Sequence, residues 1–178
     1  FKKRVLKLVS VGRLTYQKDF RTLIHAINLI KSRDIQLIII GKGEEKEKLI
    51  NLIRESRLQN KIKLIGYKKN PFNIISQADV FVLTSKFEGS PNVLVEALYL
   101  KKYIVSTDCP TGPREILNNG KFGKLVKIGD YKNIAKELNR YSFSNFVKKK
   151  IRYGYKSCKK FDYETNCKKY YKAINKYL

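Results

Sequence analysis

The amino-acid sequence predicts an α/β protein built on a doubly wound parallel sheet. Short apolar runs alternate along the chain with segments whose apolar residues recur at helical spacing. Several of the runs are almost continuously apolar, as in Ile35 to Ile40, where Gln36 is the one polar residue, and this pattern is typical of strands buried on both faces of a parallel sheet. The 178 residues are enough for one such domain with a sizeable core.

Most of the predicted strands end in, or are followed directly by, glycine or a small polar residue, and the predicted helices fill the intervals between the strands. The strands are Lys7 to Gly12, Ile35 to Ile40, Ile62 to Gly66, Val80 to Thr84, Tyr103 to Ser106 and Gly123 to Val126. The helices are Phe20 to Ile30, Glu44 to Ser56, Pro71 to Ser76, Pro91 to Leu100, Pro113 to Leu117 and Tyr131 to Tyr141. Because ligands bind outside the carboxyl ends of strands in such sheets, the strand endings predict where the site lies.

The last part of the chain differs from the rest. From about Ser142 it is rich in Lys and Tyr, with helical patterns over Phe146 to Cys158 and Tyr163 to Tyr177. We therefore expect a Rossmann-like domain over residues 1–141, and extra C-terminal helices over residues 142–178 that pack on it.

The chain is strongly basic, with a formal net charge of +24. Lys far outnumbers Arg, a bias typical of AT-rich genomes, whereas Arg usually dominates specific contacts with nucleic acid. The charge therefore favours an anionic membrane surface over nucleic acid as a partner. No apolar run is long enough to span a bilayer, and no signal peptide is recognisable. The sequence lacks Met, so we expect a segment of a longer chain, located in the cytoplasm or on the inner face of the plasma membrane.

Metal binding and thiol catalysis are both disfavoured by the sequence. Its three cysteines have no metal-ligand spacing, and His25 is its single histidine, so we expect no metal site. Cys109 has no histidine near it in sequence to activate it as a nucleophile. His25 lies among apolar residues of the first predicted helix and is interpreted as a packing residue. Free thiols indicate a reducing compartment.

The first candidate motif follows the first strand, over residues 11–19. Gly12 permits a tight turn, and Arg13 and Lys18 lie on the loop before a helix N-terminus. Cations beside free backbone N–H groups suit a diphosphate. The glycine pattern of standard NAD-binding proteins is missing. The alternative is that both cations are simply solvated, as expected for many others in this chain.

The second motif joins two carboxylates eight positions apart. Glu88 precedes a Gly-Ser-Pro turn in which Ser90 is predicted to cap a helix and Pro91 to occupy its first turn. The N–H groups of Gly89 and Ser90 would then face the cleft. Glu96 follows within the helix among apolar residues, where a carboxylate is costly without a hydrogen-bond donor. A sugar diol, Lys or Arg would each supply one; a structural salt bridge or partial exposure is the alternative.

The third motif is the turn-rich segment from Thr107 to Ile116. It either lines the same cleft or is an ordinary capped turn. In a capped turn, Asp108 or Thr111 would bond to nearby backbone.

Together these segments resemble the retaining glycosyltransferases of the GT-B fold, in particular the group one enzymes of family four. Residues 11–18 resemble the phosphate-binding segment of that family, and Glu88 and Glu96 match its E-x7-E motif. Residues 106–115 and 123–130 resemble the loop and the glycine-containing tract that follow. The family often has glycine where this chain has Asp19, and helix capping suits Asp there. The resemblance covers nearly the whole chain.

The resemblance implies the C-terminal, nucleotide-sugar-binding half of an enzyme with two Rossmann-like halves. The donor would be a UDP-sugar, and a hexose or N-acetylhexosamine would pass to a glycan or lipid-linked acceptor in surface polysaccharide or glycoconjugate biosynthesis. The other half would make most acceptor contacts, and the C-terminal helices would reach it. We therefore expect this chain alone to bind donor weakly and not to turn over.

The resemblance also assigns roles to residues. Arg13 and Lys18 would hold the diphosphate, Glu88 would face the transferred sugar, and Glu96 would accept hydrogen bonds from the ribose diol. The implied catalytic residues are Glu88, Arg13 and Lys18, and the implied donor-binding residues are Gly12, Arg13, Lys18, Tyr67, Glu88, Gly89, Ser90, Pro91, Asn92, Val93 and Glu96. Tyr67 would lie near the base. No cofactor or metal is expected, because two cations and a helix dipole would offset the charge.

Two other functions stay open on the sequence. A basic module that binds nucleic acid or a membrane surface without catalysis would account for the net charge. A nucleotide-sugar epimerase of the same fold is disfavoured because the histidine and carboxylate chemistry expected of it is absent.

Overall fold

The core of the protein is a six-stranded sheet in which all neighbouring strands are parallel. The computed structural model describes residues 4–174, apart from the side chains at positions 165, 170 and 173. The strands are β1 Leu6–Val11, β2 Ile35–Ile40, β3 Ile62–Leu64, β4 Val80–Leu83, β5 Tyr103–Thr107 and β6 Lys124–Val126. Their spatial order is β3-β2-β1-β4-β5-β6. The predicted α/β class and parallel sheet are confirmed.

Helices connect the strands and extend beyond the last one. They are α1 Phe20–Leu29, α2 Lys46–Glu55, α3 Phe72–Ser76, α4 Asn92–Tyr99, α5 Pro113–Ile116, α6 Tyr131–Arg140, α7 Asn145–Ser157 and α8 Tyr163–Ile174. A 3-10 turn at Cys158–Phe161 separates α7 from α8. The part of the last predicted helix beyond residue 174 lies outside the described residues.

Both faces of the sheet are covered, and β4 shows how one strand serves two cores. Val80 and Val82 pack into the cluster formed with α1, α2 and α6. Phe81 and Leu83 point the other way, into the cluster formed with α3, α4 and α5. Because successive side chains of a strand alternate between faces, a strand that is apolar throughout requires helices on both sides. This explains the absence of polar alternation in the sequence of β4.

The strand order creates a crevice between β1 and β4. From β1 the chain first builds outward through β2 and β3, and then returns to add β4 on the other side of β1. The loops that leave the carboxyl ends of β1 and β4 therefore diverge. In doubly wound sheets this divergence is where ligands bind. The loops concerned are residues 12–19 and 84–91.

One local prediction was wrong: Ser90 does not cap α4. The helix begins at Asn92, Pro91 occupies the N-cap position, and no N-cap side chain accepts a hydrogen bond from the N–H groups of the first turn. The backbone of Pro91 has ψ of 81°, outside the helical region, so the helix starts one residue later than the turn chemistry predicted.

Helix α7 lies against the half of the sheet that contains β5, whereas α8 contacts the 3-10 turn. Helix α7 contacts α4 and β5, and the 3-10 turn contacts α4. Gly154 permits this close approach, because a Cβ atom there would lie 2.5 Å from Cδ2 of Leu98. Within residues 4–174, each helix is too short or too polar to cross a membrane.

Candidate functional site

A buried ion pair joins the loops on the two sides of the crevice. Nζ of Lys18, from the loop after β1, lies 2.6 Å from Oε1 of Glu88, from the loop after β4. The two side chains are only 15% and 6% exposed. The hydroxyl of Ser85 donates a second hydrogen bond, of 2.5 Å, to the same carboxylate oxygen. The structure thus brings together two predicted site residues that lie 70 positions apart in the chain.

The path of Lys18 to Glu88 depends on the residues on either side of it. A Cβ atom at Gly12 would lie 3.2 Å from Cδ of Lys18, so the lysine stem runs directly over the glycine backbone. Asp19 adopts a left-handed backbone with φ of 46°, a conformation that favours glycine. Its carboxylate caps α1 by accepting from the Thr22 N–H at 3.3 Å, so the capping role predicted for Asp19 is confirmed.

Further hydrogen bonds fix these two loops, and the sequence did not single out the residues that make them. The Thr84 hydroxyl donates to the Lys18 carbonyl at 3.0 Å. Gln17 donates through Nε2 to the Phe87 carbonyl at 2.9 Å, and its own carbonyl accepts from the Lys86 N–H at 2.8 Å. Small polar residues at the end of β4 were visible in the sequence, but their partners were not. The backbone around the Lys18–Glu88 pair is therefore set by long-range contacts.

The loop after β5 supports Glu88 from behind. The Thr111 hydroxyl donates to the Glu88 carbonyl, and the Glu88 N–H donates to the Pro110 carbonyl at 3.2 Å. The alternative in which Thr111 bonds within its own turn is therefore wrong. Asp108 forms an ion pair with the exposed Arg114 instead of capping local backbone. The loop lines the cleft side of the domain, as one of the two interpretations predicted.

The start of α4 presents unpaired backbone donors. Within the described part of the chain, no acceptor bonds to the N–H groups of Gly89, Ser90 or Val93. A Cβ atom at Gly89 would meet nothing within 4 Å, so the space beside it is open. Gly89 and Ser90 also line a cavity of about 910 Å³ with residues of the loop after β5. Asn92 is exposed, whereas Pro91 is buried.

Two predicted site residues lie outside the ion pair. The Arg13 side chain is exposed and bonds to no other group among residues 4–174. Tyr67, after β3, is exposed, with Nζ of Lys42 lying 5.6 Å from the centroid of its ring. Both residues follow carboxyl ends of strands, Arg13 beside the crevice after β1 and Tyr67 two strands away after β3, and neither contributes to the Lys18–Glu88 contact.

Glu96 occupies a different part of the surface. It lines a groove of about 820 Å³ with Phe72, at the start of α3, and Phe161, in the 3-10 turn. Burial raises the pKa of the Glu96 carboxyl above its ordinary value. Among the described residues its carboxylate has no ion-pair partner, so the salt-bridge alternative is not found. The other alternative, partial exposure, is what the structure shows, and the half-buried acid is left with acceptor capacity.

The structure also describes the cysteine and the histidine that the sequence disfavoured as catalytic residues. Cys109 is buried, and burial raises the pKa of its thiol, which disfavours the reactive thiolate. The His25 ring packs against Tyr131, with ring centroids 5.8 Å apart. Across residues 4–174, His, Cys, Asp and Glu side chains form no group of three or more suited to a metal ion.

The parallel sheet, with a cation and a carboxylate paired across its switch point, places the chain in the doubly wound class of α/β domains, in which ligands bind at that point. The sequence model of the family described as "Glycosyl transferases group 1" matches residues 1–159. The chain belongs to this family.

Named relatives agree with the family. The chain is 40% identical over 146 residues to an uncharacterized glycosyltransferase of Methanocaldococcus jannaschii, a match covering 74% of this chain and 36% of that protein. It is 36% identical over 131 residues to N-acetylgalactosamine-N,N'-diacetylbacillosaminyl-diphospho-undecaprenol 4-alpha-N-acetylgalactosaminyltransferase of Campylobacter jejuni, again covering 74% and 36%.

Solved structures show the same fold. The lipopolysaccharide outer core galactosyltransferase WaaB superposes with a TM-score of 0.75 at 27% identity, covering 86% of this chain and 46% of that one. HepE from Anabaena, solved in complex with UDP, gives a TM-score of 0.88 at 20% identity and covers 96% and 49%. The sheet and its helices match those of GT-B glycosyltransferase C-terminal domains. The chain spans about a third to a half of the length of these relatives.

Proposed function

We propose that this chain is the donor-binding half of a retaining glycosyltransferase that uses a UDP-sugar. The observation that carries the proposal is the buried Lys18–Glu88 pair across the β1/β4 crevice. An ion pair in that position would offer a cation to the leaving diphosphate beside a carboxylate for the sugar. The bound UDP named in the HepE structure supports the nucleotide.

The diphosphate would lie over the loop after β1. Without donor, Lys18 is neutralised by Glu88 at 2.6 Å. A diphosphate that entered the crevice would share Lys18 with Glu88, and the exposed Arg13 would turn towards the second phosphate. These cations would offset the charge that develops on the leaving group. We propose that they act without a metal ion or cofactor.

The sugar and nucleoside would lie on opposite sides of the diphosphate. Glu88 and the unpaired N–H groups of Gly89 and Ser90 would bind hydroxyls of the transferred sugar. Glu96 would accept hydrogen bonds from the ribose diol in the groove it shares with Phe72. Tyr67 would border the base. This arrangement accounts for the half-buried Glu96 carboxylate that has no partner among the described residues.

The acceptor would be bound mainly by chain that this sequence does not include. The C. jejuni relative is named for an undecaprenol diphosphate acceptor, which supports a lipid-linked glycan. We propose a hexose or N-acetylhexosamine as the transferred sugar, retention of its anomeric configuration, and a cytoplasmic reaction. The 178-residue chain is expected to bind UDP without transferring sugar.

The test is calorimetric titration of UDP against the chain and against Arg13→Ala/Lys18→Ala. We expect the double variant to bind at least roughly tenfold more weakly, because charged hydrogen bonds to phosphate are lost. Lys48→Ala/Arg54→Ala, which removes two exposed cations from α2, is the matched control and should bind like the parent. If Arg13→Ala/Lys18→Ala binds UDP as tightly as the parent, the phosphate assignment is wrong.

A second variant tests whether Glu88 and the diphosphate share Lys18. Glu88→Gln keeps the size of the side chain but removes the negative charge beside Lys18. We expect it to bind UDP a few-fold more tightly than the parent, since the lysine no longer has a competing anion. An equal or weaker affinity would mean that Lys18 does not contact the diphosphate.

A further inference from the structure

The segment from residue 138 to residue 161 has a charge of one sign. It contains eight Lys and Arg residues and no Asp or Glu. Six of the eight are Lys. The segment runs from the end of α6 through α7 and the 3-10 turn, and the donor site proposed above uses no cation from it. Apart from Lys150, whose Nζ donates to the carbonyls of Gly120 and Gly123, these cations are therefore available for another purpose.

The fold places part of this charge on one stripe of α7. Val147 and Gly154 are buried on the inner side of the helix. Lys149, Arg152 and Lys156 follow at helical spacing on the opposite, outward side, and all three are exposed. None of the three forms an ion pair with any residue the structure describes. The outward stripe is thus a ridge of unneutralised positive charge.

Exposed aromatic rings flank this ridge. On one side Phe146, 66% exposed, and Tyr153 line a groove of about 590 Å³ against residues 119–122. On the other side Phe143, 63% exposed, and Tyr155 line a groove of about 350 Å³ with Lys148. Both grooves therefore have an apolar ring beside an ammonium group. This combination fits amphiphilic molecules better than purely polar ones.

We infer that this surface docks on an anionic phospholipid bilayer. We call it the α7 face, defined by Phe143, Phe146, Lys148, Lys149, Arg152, Tyr153, Tyr155 and Lys156. Lys is a hydrated point charge on a flexible stem, which suits a diffuse anionic surface, whereas specific contacts with nucleic acid rely more on Arg. Aromatic rings beside the charges would lie at the level of the headgroups.

The experiment measures sedimentation of the 178-residue chain with phosphatidylcholine vesicles that contain or lack phosphatidylglycerol. About 30% phosphatidylglycerol gives the vesicles a negative surface potential. Lys149→Gln/Arg152→Gln/Lys156→Gln removes the ridge. Its matched control, Lys46→Gln/Lys48→Gln/Arg54→Gln, removes the same number and type of exposed cations from α2, at the other edge of the sheet. We expect binding to the anionic vesicles to fall roughly 100-fold in the first variant and by less than about threefold in the second.

A third variant tests the aromatic rings. Phe143→Ser/Phe146→Ser keeps every charge, and we expect it to bind the anionic vesicles about tenfold more weakly than the parent, with the difference persisting in high salt. Far-UV circular dichroism and thermal unfolding of each variant show that the fold is kept. These readouts do not depend on UDP binding, so failure of the donor assignment leaves this test intact.

Three outcomes would overturn the assignment. The first is that the parent chain binds neutral and anionic vesicles equally, or binds neither. The second is that both triple variants lose the same affinity for anionic vesicles, which would assign the binding to net charge alone. The third is that the α7 variant loses affinity for a single-stranded oligonucleotide while its vesicle binding is unchanged. That result would assign the α7 face to nucleic acid.

Discussion

Lysine does different physical work in the crevice and on the α7 face. In the crevice, Lys18 is largely buried and its charge is matched by one carboxylate at 2.6 Å. On the α7 face, Lys149 and Lys156 are exposed and have no carboxylate within their whole segment. The ion pair holds the Lys18 side chain in one position, whereas the exposed lysines of the α7 face have flexible side chains that suit a partner whose charges have no fixed positions.

The contrast shows why the net charge of +24 says little about function by itself. Other lysines are used structurally: Nζ of Lys102 donates to the carbonyls of Ser76 and Ala78, and Nζ of Lys150 to those of Gly120 and Gly123. Burial lowers the pKa of both ammonium groups. What a cation does is decided by its burial and its partners, which composition does not report.

The largest expected difference between the two regions is in stability. Glu88→Ala leaves the Lys18 ammonium largely buried without its carboxylate, so we expect a loss of about 3 kcal/mol in the free energy of unfolding. Lys149→Ala removes an unpaired, exposed cation and should change that free energy by less than about 0.5 kcal/mol. Urea denaturation of both variants and the parent measures the contrast.

Equal effects of the two substitutions would break the comparison, because the Lys18–Glu88 pair would then be as solvated as the α7 face. Glu88→Gln helps to separate charge from shape. It keeps a hydrogen-bond acceptor for Lys18 and Ser85, and we expect it to lose less stability than Glu88→Ala.

The sequence predicted the sheet well because its signal is local. The strands are short, mainly apolar runs, and in β4 and β5, which are buried at every position, burial on both faces follows from that pattern. The loops after β1 and β4 were predicted as the site for the same reason, since carboxyl ends of strands are read from strand positions alone. The structure brings Lys18 and Glu88 into contact there.

The supporting contacts were not predictable from the sequence, because they join residues far apart in the chain. Thr84 to Lys18 and Thr111 to Glu88 depend on how three loops pack together. The start of α4 was predicted one residue too early: the turn chemistry at Ser90 favours a cap, but the backbone of Pro91 is not helical and Pro91 itself takes the cap position.

A smaller difference is expected between two glycines near the ion pair: Gly112 is closely packed, whereas Gly89 has open space beside it. Gly112 has φ of 94°, and a Cβ atom there would lie 2.4 Å from Cδ of Pro91, whereas one at Gly89 would meet nothing within 4 Å. We expect Gly112→Ala to cost about 2 kcal/mol of unfolding free energy through strain. Gly89→Ala should cost less than about 0.5 kcal/mol.

The same pair of variants separates folding from binding. The methyl group of Gly89→Ala would occupy the open space proposed for the donor. We therefore expect this variant to bind UDP-glucose more weakly than the parent while its unfolding midpoint in urea stays the same. Denaturation curves and titrations of both variants test this. Unchanged affinity in Gly89→Ala would place the donor away from the start of α4.

The smallest expected effect concerns Glu96 and pH. Burial raises the pKa of this carboxyl, so it takes up a proton more readily in the folded protein than in the unfolded chain. The free-energy cost of burying the ionised form therefore disappears as pH falls through the raised pKa. The ionised form is the one that accepts hydrogen bonds from a diol. The preference for UDP over 2′,3′-dideoxy-UDP should therefore be present at neutral pH and decline as pH falls through the raised pKa.

Comparing these two ligands cancels the titration of the diphosphate, which both carry. We expect a preference of about fivefold at neutral pH, on the order of 1 kcal/mol, from hydrogen bonds to a charged acceptor. In Glu96→Gln the preference should be smaller and independent of pH, since the amide does not titrate. A pH-dependent preference that survives in Glu96→Gln would remove Glu96 from the ribose site and leave its raised pKa as a consequence of packing against the 3-10 turn alone.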